Sequence, residues 1–212
     1  MKDKIIEKVN FTLRVPSIGY EKTITLTVKE KKRPKWIDVY RGYPKIEDGT
    51  DDLPGDEVFS KVFGDLYHKD DSSLHTKKGS IIFMENACAT RVSLGLLEGG
   101  VNIKNPDFYV QNEKEKSIYG KPIIVKASKL ESFLTKEWGE ADKIITSFSK
   151  VEEVVDEINS EGEKNGIYII LGGNFSPEVT GHASLWVGAE KNVIGGNDYA
   201  EVGETIYFWE LE

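Results

Sequence analysis

The C-terminal part of the chain contains three strand-like segments joined by short links. They are GIYIILGG at 166–173, GHASLWVG at 181–188 and ETIYFWEL at 204–211. β-Branched and aromatic residues favour strands, and links of this length join antiparallel neighbours. Helical patterns precede these strands, at 90–98, 127–139 and 149–162. Helices first and strands last predict an antiparallel sheet with the helices to one side, which is an α+β fold.

One helical pattern also carries its own start and stop signals. In the segment 127–139, Ser128 is predicted to cap the helix, Glu131 to complete a capping box and Gly139 to end it. A shorter helix is expected near Glu57–Gly64, after an acidic loop punctuated by proline and glycine.

The N-terminal residues follow a different pattern. Between residues 8 and 30 apolar and polar residues alternate around a turn at 16–20, which predicts a β-hairpin. A charged run and Pro34 then mark a boundary. We therefore divide the chain into an N-terminal β extension, 1–34, and a main domain, 35–212.

Charge and composition exclude several classes of function. The 28 Lys and Arg against 36 Asp and Glu give a net charge of −8, which argues against a nucleic-acid-binding protein. No apolar run approaches the length that inserts into a membrane, and the polar start does not resemble a signal peptide. We expect synthesis in the cytoplasm without a cleaved leader.

The single cysteine excludes an internal disulfide and any multi-thiolate zinc site. His68 and His75 lie among carboxylates, but their spacing fits no metal motif and favours a solvated loop. No phosphate-binding glycine loop or serine-hydrolase elbow occurs. No metal or cofactor is therefore expected.

The cysteine, Cys88, lies in the segment ENACATRVSLGLLEGG at 85–100, where a helix is predicted to begin. The unpaired N–H groups of a helix N-terminus lower a thiol pKa, and the neighbours of Cys88 are small. A nucleophilic thiolate also needs an imidazole and a group that orients it. By itself, however, a lone cysteine at a helix start is more often an inert thiol in the core than a nucleophile.

The other two parts of such a site occur on the later strands. His182 opens the strand at 181–188, on the face that also carries Ser184 and Trp186. Asn197 and Asp198 follow in the turn before the last strand, where a carboxylate could accept the Nδ1–H of the histidine. Alternatively, the histidine is a hydrogen-bonded strand residue and Asp198 is a turn residue. A cysteine on a helix followed by a histidine and a polar residue on successive strands is the arrangement of papain-like thiol hydrolases.

From Trp36 to the C-terminus the chain resembles a known family, the type VI secretion amidase effectors of the fourth class. The matching segments are Trp36, GYP at 42–44, NACATRVS at 86–93, IYGKPIIVKASKLESFLTKEWGEAD at 118–142, GIYIILGG at 166–173, TGHASLWVG at 180–188 and IYFWEL at 206–211. The hairpin and the acidic loop at 47–57 look like additions to the family pattern. The resemblance implies a papain-like, NlpC/P60-related α+β fold with the nucleophile helix packed on an antiparallel sheet.

The resemblance also implies the chemistry. Cys88 would be the nucleophile, His182 the base and Asp198 the orienting acid, with Asn197 as the competing residue. Substrate contacts would come from the residues around these positions, which are Asn86, Arg91, Ser184 and Trp186. The reaction would be hydrolysis of the amide between D-glutamate and meso-diaminopimelate in the peptidoglycan stem peptide.

Partners and location follow from the same resemblance. Effectors of this family are carried by the type VI secretion apparatus into the periplasm of a competitor and are neutralised by a cognate immunity protein. Two other functions remain compatible with the residues. One is a cysteine hydrolase or peptidase of different specificity on the same fold, and the other is a non-catalytic binding domain with Cys88 in its core.

Overall fold

The computed structural model describes residues 4–15, 18–30, 32–64, 67, 86–104, 108–109, 122–146, 148, 151–175, 179 and 181–212. The chain divides into two compact units, Met1–Arg33 and Pro34–Glu212. The first contains an antiparallel hairpin of β1 (Lys4–Val15) and β2 (Tyr20–Glu30), as the alternation predicts. Part of the predicted turn, residues 16 and 17, lies outside the described residues.

The described helices and strands of the second unit are short. The helices are α1 (Trp36–Gly42), α2 (Gly55–Phe63), α3 (Cys88–Glu98), α4 (Ala127–Trp138) and α5 (Val151–Ile158). The strands are β3 (Phe108–Tyr109), β4 (Pro122–Ile123), β5 (Lys143–Ile145), β6 (Gly166–Leu171), β7 (Gly181–Val187), β8 (Asn192–Val193) and β9 (Thr205–Glu210). None of the described helices is long and apolar enough to cross a bilayer.

The main sheet is antiparallel throughout, in the strand order β5-β9-β6-β7-β8. The three strands predicted from the sequence are its β6, β7 and β9, so the α+β prediction is confirmed. The short α1, β5 and β8 were not predicted, because elements of two to seven residues carry too few positions for a periodic pattern.

Helices cover both faces of this sheet, so the prediction that they lie to one side is wrong. On one face Ile167 and Ile169 pack with residues of α3 and α4, while on the other Tyr168 and Ile170 pack with residues of α5. All of β6 except Leu171 is buried. The sequence carried this signal, because a strand that is covered on both faces is a continuous apolar run and does not alternate.

The predicted cap of α4 is also wrong. The helix begins at Ala127 with Lys126 at the N-cap and no side-chain cap, so Ser128 lies within the first turn. The Glu131 carboxylate accepts hydrogen bonds from Thr135 and Ser132. The predicted end is confirmed, since Gly139 follows the helix with a φ of 93°.

Helices α1 and α3 approach each other closely at two glycines. A Cβ at Gly95 would lie 2.7 Å from the Val39 carbonyl oxygen, and one at Gly42 would lie 2.2 Å from the Glu98 Cβ. The contact fixes α3 against the first helix of the unit, and α3 is the helix that begins with the cysteine.

This contact can be tested by Gly95→Ala. In an unconstrained helix this change stabilises by about 1 kcal/mol, because alanine loses less backbone entropy. Here we expect the opposite sign, a loss of about 1–3 kcal/mol from overpacking against backbone. Urea unfolding measures it as a lower midpoint with an unchanged m-value. A higher midpoint would show that the helices are not in close contact.

Candidate active site

Cys88 is the first residue of α3. The helix is buried from Cys88 to Leu96, and Ser93 joins it to the segment before α4 through hydrogen bonds to the Ile124 carbonyl (3.0 Å) and N–H (3.1 Å). The first intrahelical bond runs from Arg91 N–H to the Ala87 carbonyl, at 2.8 Å. The N–H groups of the first turn are therefore without helical partners at the position of the thiol.

The sulfur lies against an edge of the sheet. Strand β8 pairs only with Trp186 and Val187, at the end of β7. Upstream of that pairing, the N–H of Ala183 donates to the Cys88 sulfur, as does the N–H of Ala89 in the helix. The thiol thus joins the helix N-terminus to the strand that carries the histidine.

Burial raises the pKa of Cys88, outweighing the opposite effects of the two N–H groups and of Arg91. Its residue is only 9% exposed. The lowered pKa expected from the helix position is therefore wrong for this structure. The N-terminal position does favour the thiolate, but loss of hydration disfavours it more strongly.

His182 is the second residue of β7 and is 8% exposed. Burial, and to a lesser extent the charge of Arg91, lowers the pKa of His182 to about 3. Its Nε2 is buried and has no hydrogen-bond partner among the residues that the structure describes. At neutral pH the unliganded site consequently contains a neutral thiol beside a neutral imidazole.

Cys88 and His182 line the same cavity, which has a volume of about 540 Å³. Two predicted residues, Asn86 and Arg91, also line it, as do Asp52, Asn197 and Tyr199. The structure therefore brings together the predicted nucleophile and base, and it places two of the four predicted substrate contacts beside them.

Arg91 is held by the acidic loop that was interpreted as an addition to the fold. Its Nε and Nη2 donate to the Leu53 carbonyl at 3.0 and 2.7 Å, and its Nη1 lies 3.1 Å from Asp52 Oδ2. Asp52 also accepts a hydrogen bond from the Tyr43 hydroxyl, at 2.7 Å. Burial raises the pKa of Asp52 by more than Arg91 and Tyr43 lower it.

Sequence reasoning missed Asp52 as a residue of the site. A signal for its role did exist, because Arg91 falls within a helix whose other residues are mostly apolar or small, and a buried guanidinium requires a partner. That signal does not identify the partner, since the chain contains 36 acidic residues. Only the tertiary structure selects Asp52.

Ser184 and Trp186 are not brought to the cavity. Ser184 is fully buried and its hydroxyl lies 3.2 Å from the Tyr43 hydroxyl. Trp186 is 1% exposed and packs in the core on the α5 side, stacked on Tyr168 with ring centroids 6.0 Å apart. Their predicted contacts with substrate are therefore replaced by contacts within the protein.

Asp198 lies in the turn before β9, and its carboxylate accepts a hydrogen bond from the Ala200 N–H at 2.8 Å. Its carbonyl accepts one from the Tyr168 hydroxyl, at 2.9 Å. Among the described residues no hydrogen bond connects Asp198 with His182, and the cavity is lined by Asn197 instead. Burial raises the pKa of Asp198.

Two histidines were considered as metal ligands in the sequence. His68 and His75 lie outside the described residues. Within the described ranges, no cluster of three or more histidine, cysteine or acidic side chains could hold a metal ion.

The buried ion pair predicts a large effect of Asp52→Asn on stability. The amide can still accept from Tyr43, but it leaves the Arg91 charge without a counter-ion, which costs about 3 kcal/mol for a buried pair. Asp51→Asn is the matched control, because Asp51 is exposed and the amide oxygen can still accept from the Asp52 N–H. Equal unfolding midpoints for the two variants would contradict the role of the pair.

Reactivity of the thiol tests its environment. Because burial raises the pKa of Cys88, the rate of alkylation by iodoacetamide should rise with a midpoint above about pH 8.5, the pKa of a free cysteine. The chain unfolded in urea is the control, and it should react faster near neutral pH. Mass spectrometry measures the extent of alkylation at a single site, since Cys88 is the only cysteine. A native midpoint below that of the unfolded chain would contradict the buried, neutral thiol.

Comparisons with known proteins agree with this geometry. The chain matches the family model described as type VI secretion system (T6SS), amidase effector protein 4, over residues 84–209. The crystal structure of the effector Tae4 from Enterobacter cloacae has a TM-score of 0.56 and 20% identity, covering 86% of this chain and 99% of that one. No curated protein sequence matches the chain.

A second solved structure is that of the effector Tae4 from Salmonella typhimurium in complex with the immunity protein Tai4 from Enterobacter cloacae. It has a TM-score of 0.55 and 19% identity, and covers 85% of this chain and 100% of that one. At these identities the structures show the fold, which is the papain-like, NlpC/P60-type α+β fold predicted from the sequence. The family model covers more than half of the chain, and the resemblance is confirmed. The chain belongs to the amidase effectors of the type VI secretion system, family 4, and is a hydrolase.

Proposed function

We propose that this chain hydrolyses the amide between D-glutamate and meso-diaminopimelate in peptidoglycan stem peptides, with Cys88 as nucleophile and His182 as general base. One observation carries the assignment of the pair: both residues line one cavity, and the sulfur accepts the N–H of Ala183, the neighbour of His182 in the chain. Family membership supports the reaction class.

The protonation states suggest the order of events. Because the free site contains a neutral thiol and a neutral imidazole, His182 takes the proton as the sulfur attacks the carbonyl carbon. The resulting oxyanion lies at the first turn of α3, where the Cys88 N–H has no helical partner. The imidazolium then protonates the leaving amine, and water releases the acyl group from sulfur.

The cavity also suggests how the peptide is held. Asn86 and Asn197 are exposed residues that line it, and their amides can donate to and accept from a peptide or a carboxylate. The Arg91 charge is already paired with Asp52, so the role of Arg91 is to hold residues 52 and 53 of the acidic loop in place.

Delivery and inhibition form part of the same proposal. The solved relatives include complexes of Tae4 with Tai4 from Enterobacter cloacae and from Salmonella Typhimurium. We propose that this chain likewise has a cognate immunity protein, and that the secretion apparatus carries it to the periplasm of a target cell, where its substrate lies.

Digestion of purified muropeptides tests the reaction. The parent should release products cut between D-glutamate and meso-diaminopimelate, identified by mass spectrometry, and Cys88→Ala should lose at least about 1,000-fold in rate because the catalytic group acts as a unit. Circular dichroism of the variant checks its folding. Cleavage at a different bond would favour a cysteine peptidase of other specificity, and full activity of Cys88→Ala would exclude cysteine catalysis.

The third catalytic position is proposed as Asp198, and Asn197 competes because it lines the cavity. Asp198→Asn separates a catalytic from a structural carboxylate, since the amide oxygen can still accept from Ala200. If Asp198 orients the imidazole, its loss should lower the rate by up to about 10⁴-fold. Asn197→Ala is the companion variant. A normal rate for Asp198→Asn together with a loss in Asn197→Ala would move the role to Asn197.

A further inference from the structure

Tyr199 has a backbone conformation that an aromatic residue rarely adopts. Its φ is 58°, and among the described residues the other non-glycine residue with a positive φ is Lys191, at 52°. This left-handed conformation is unfavourable for a residue with a bulky side chain. Such strain persists only where the surroundings enforce it, and it concentrates at functional sites. Tyr199 also lines the catalytic cavity.

Hydrogen bonds on both sides hold this backbone in place. On the N-terminal side, Asp198 accepts from the Tyr168 hydroxyl and from the Ala200 N–H. On the C-terminal side, the Tyr199 carbonyl accepts from the N–H groups of Val202 at 3.1 Å and Gly203 at 3.0 Å. The turn is thereby fixed to β6 as well as to itself.

The enforced conformation places the phenol ring against the histidine. The Tyr199 and His182 ring centroids are 4.7 Å apart with planes tilted by 46°, and Phe175 lies 5.7 Å from the Tyr199 centroid. Tyr199 is 43% exposed, whereas His182 is 8% exposed. The half-exposed phenol ring therefore lies against the buried imidazole.

We propose that Tyr199 is a positioning residue. Its ring covers His182, excludes water from the imidazole and holds the imidazole in one orientation towards Cys88. The buried Nε2, which has no partner within the described part of the chain, supports this role, because a ring over the imidazole keeps other donors and acceptors from reaching it. The catalytic part of the inference rests on the proposed function, whereas the covering of the imidazole does not.

The charges around the imidazole allow a directional test. Arg91 and Cys88 face the cavity from α3, Asp52 faces it from the acidic loop, and Asp198 belongs to the turn that carries Tyr199. Burial is the larger cause of the lowered pKa of His182, and Arg91 the smaller. Removing the cover should therefore raise the pKa of His182 towards about 6.5, its value in water.

Four variants separate the effect of the ring from that of the backbone strain. Tyr199→Gly removes the ring and the strain, Tyr199→Phe keeps the ring, and Lys191→Gly relieves a comparable φ at a residue that does not line the cavity. Tyr199→Asn is a second ring-free variant, since asparagine tolerates the left-handed region. Thermal unfolding of each variant confirms that it is folded.

Titration of the histidine signals by NMR is the first measurement, with His182 assigned by the signal lost in His182→Gln. We expect its pKa to rise by about one unit or more in Tyr199→Gly and Tyr199→Asn. In Tyr199→Phe and Lys191→Gly it should stay at the parental value. An unchanged pKa in both ring-free variants, or an equal rise in Tyr199→Phe, would overturn the proposal.

Muropeptide kinetics form the second measurement. Loss of the ring should lower kcat more than it raises KM, and should move the acid limb of the kcat/KM profile to higher pH, because the base becomes protonated at higher pH. Tyr199→Phe should restore the parental profile. If the parent cleaves no muropeptide but the pKa of His182 still rises in the ring-free variants, Tyr199 covers the imidazole and the substrate assignment is wrong. If the parent is active and the ring-free variants keep its kcat and profile, the positioning role fails.

Discussion

The contact between the first turn of α3 and the edge of β7 determines how the site is assembled. A strand edge exposes N–H groups that need partners, and here the Cys88 sulfur accepts the one from Ala183. The helix cannot shift to break this contact, because it is buried along most of its length and meets α1 at Gly95. One turn further on, Arg91 binds the 52–53 loop. Cys88, the strand that carries His182 and the acidic loop are therefore held together by one set of contacts.

Burial of Cys88 and His182 makes the resting thiol less reactive, but it strengthens the stabilisation of charge during catalysis. It raises the pKa of Cys88 and lowers that of His182, which keeps the resting pair uncharged. The same low-dielectric surroundings strengthen the interaction of any charge that develops during the reaction with the dipoles around it. A buried neutral pair consequently forms charge only when a substrate carbonyl is present to share it.

Several parts of the fold and site could be predicted because they depend on local patterns. The strands at 166–171 and 181–187 follow from their β-branched and aromatic residues, and helix α3 follows from its apolar spacing. Cys88 and His182 could be proposed because few side chains perform this chemistry. The predicted cap at Ser128 is wrong, because the helix begins at Ala127 with Lys126 at its N-cap, two residues before the predicted cap.

What the sequence determined by itself is the longer helices and strands, the α+β class and the chemical groups available for catalysis, since these depend on residue type and periodicity. Tertiary structure decided which groups meet. It selected Asp52 for Arg91 and placed Ser184 and Trp186 in the interior instead of the cavity. It also placed the Tyr199 ring over His182 through a strained turn. Partners of this kind lie far apart in the chain, and their choice depends on burial and on which polar groups remain unsatisfied after packing, which no local pattern contains.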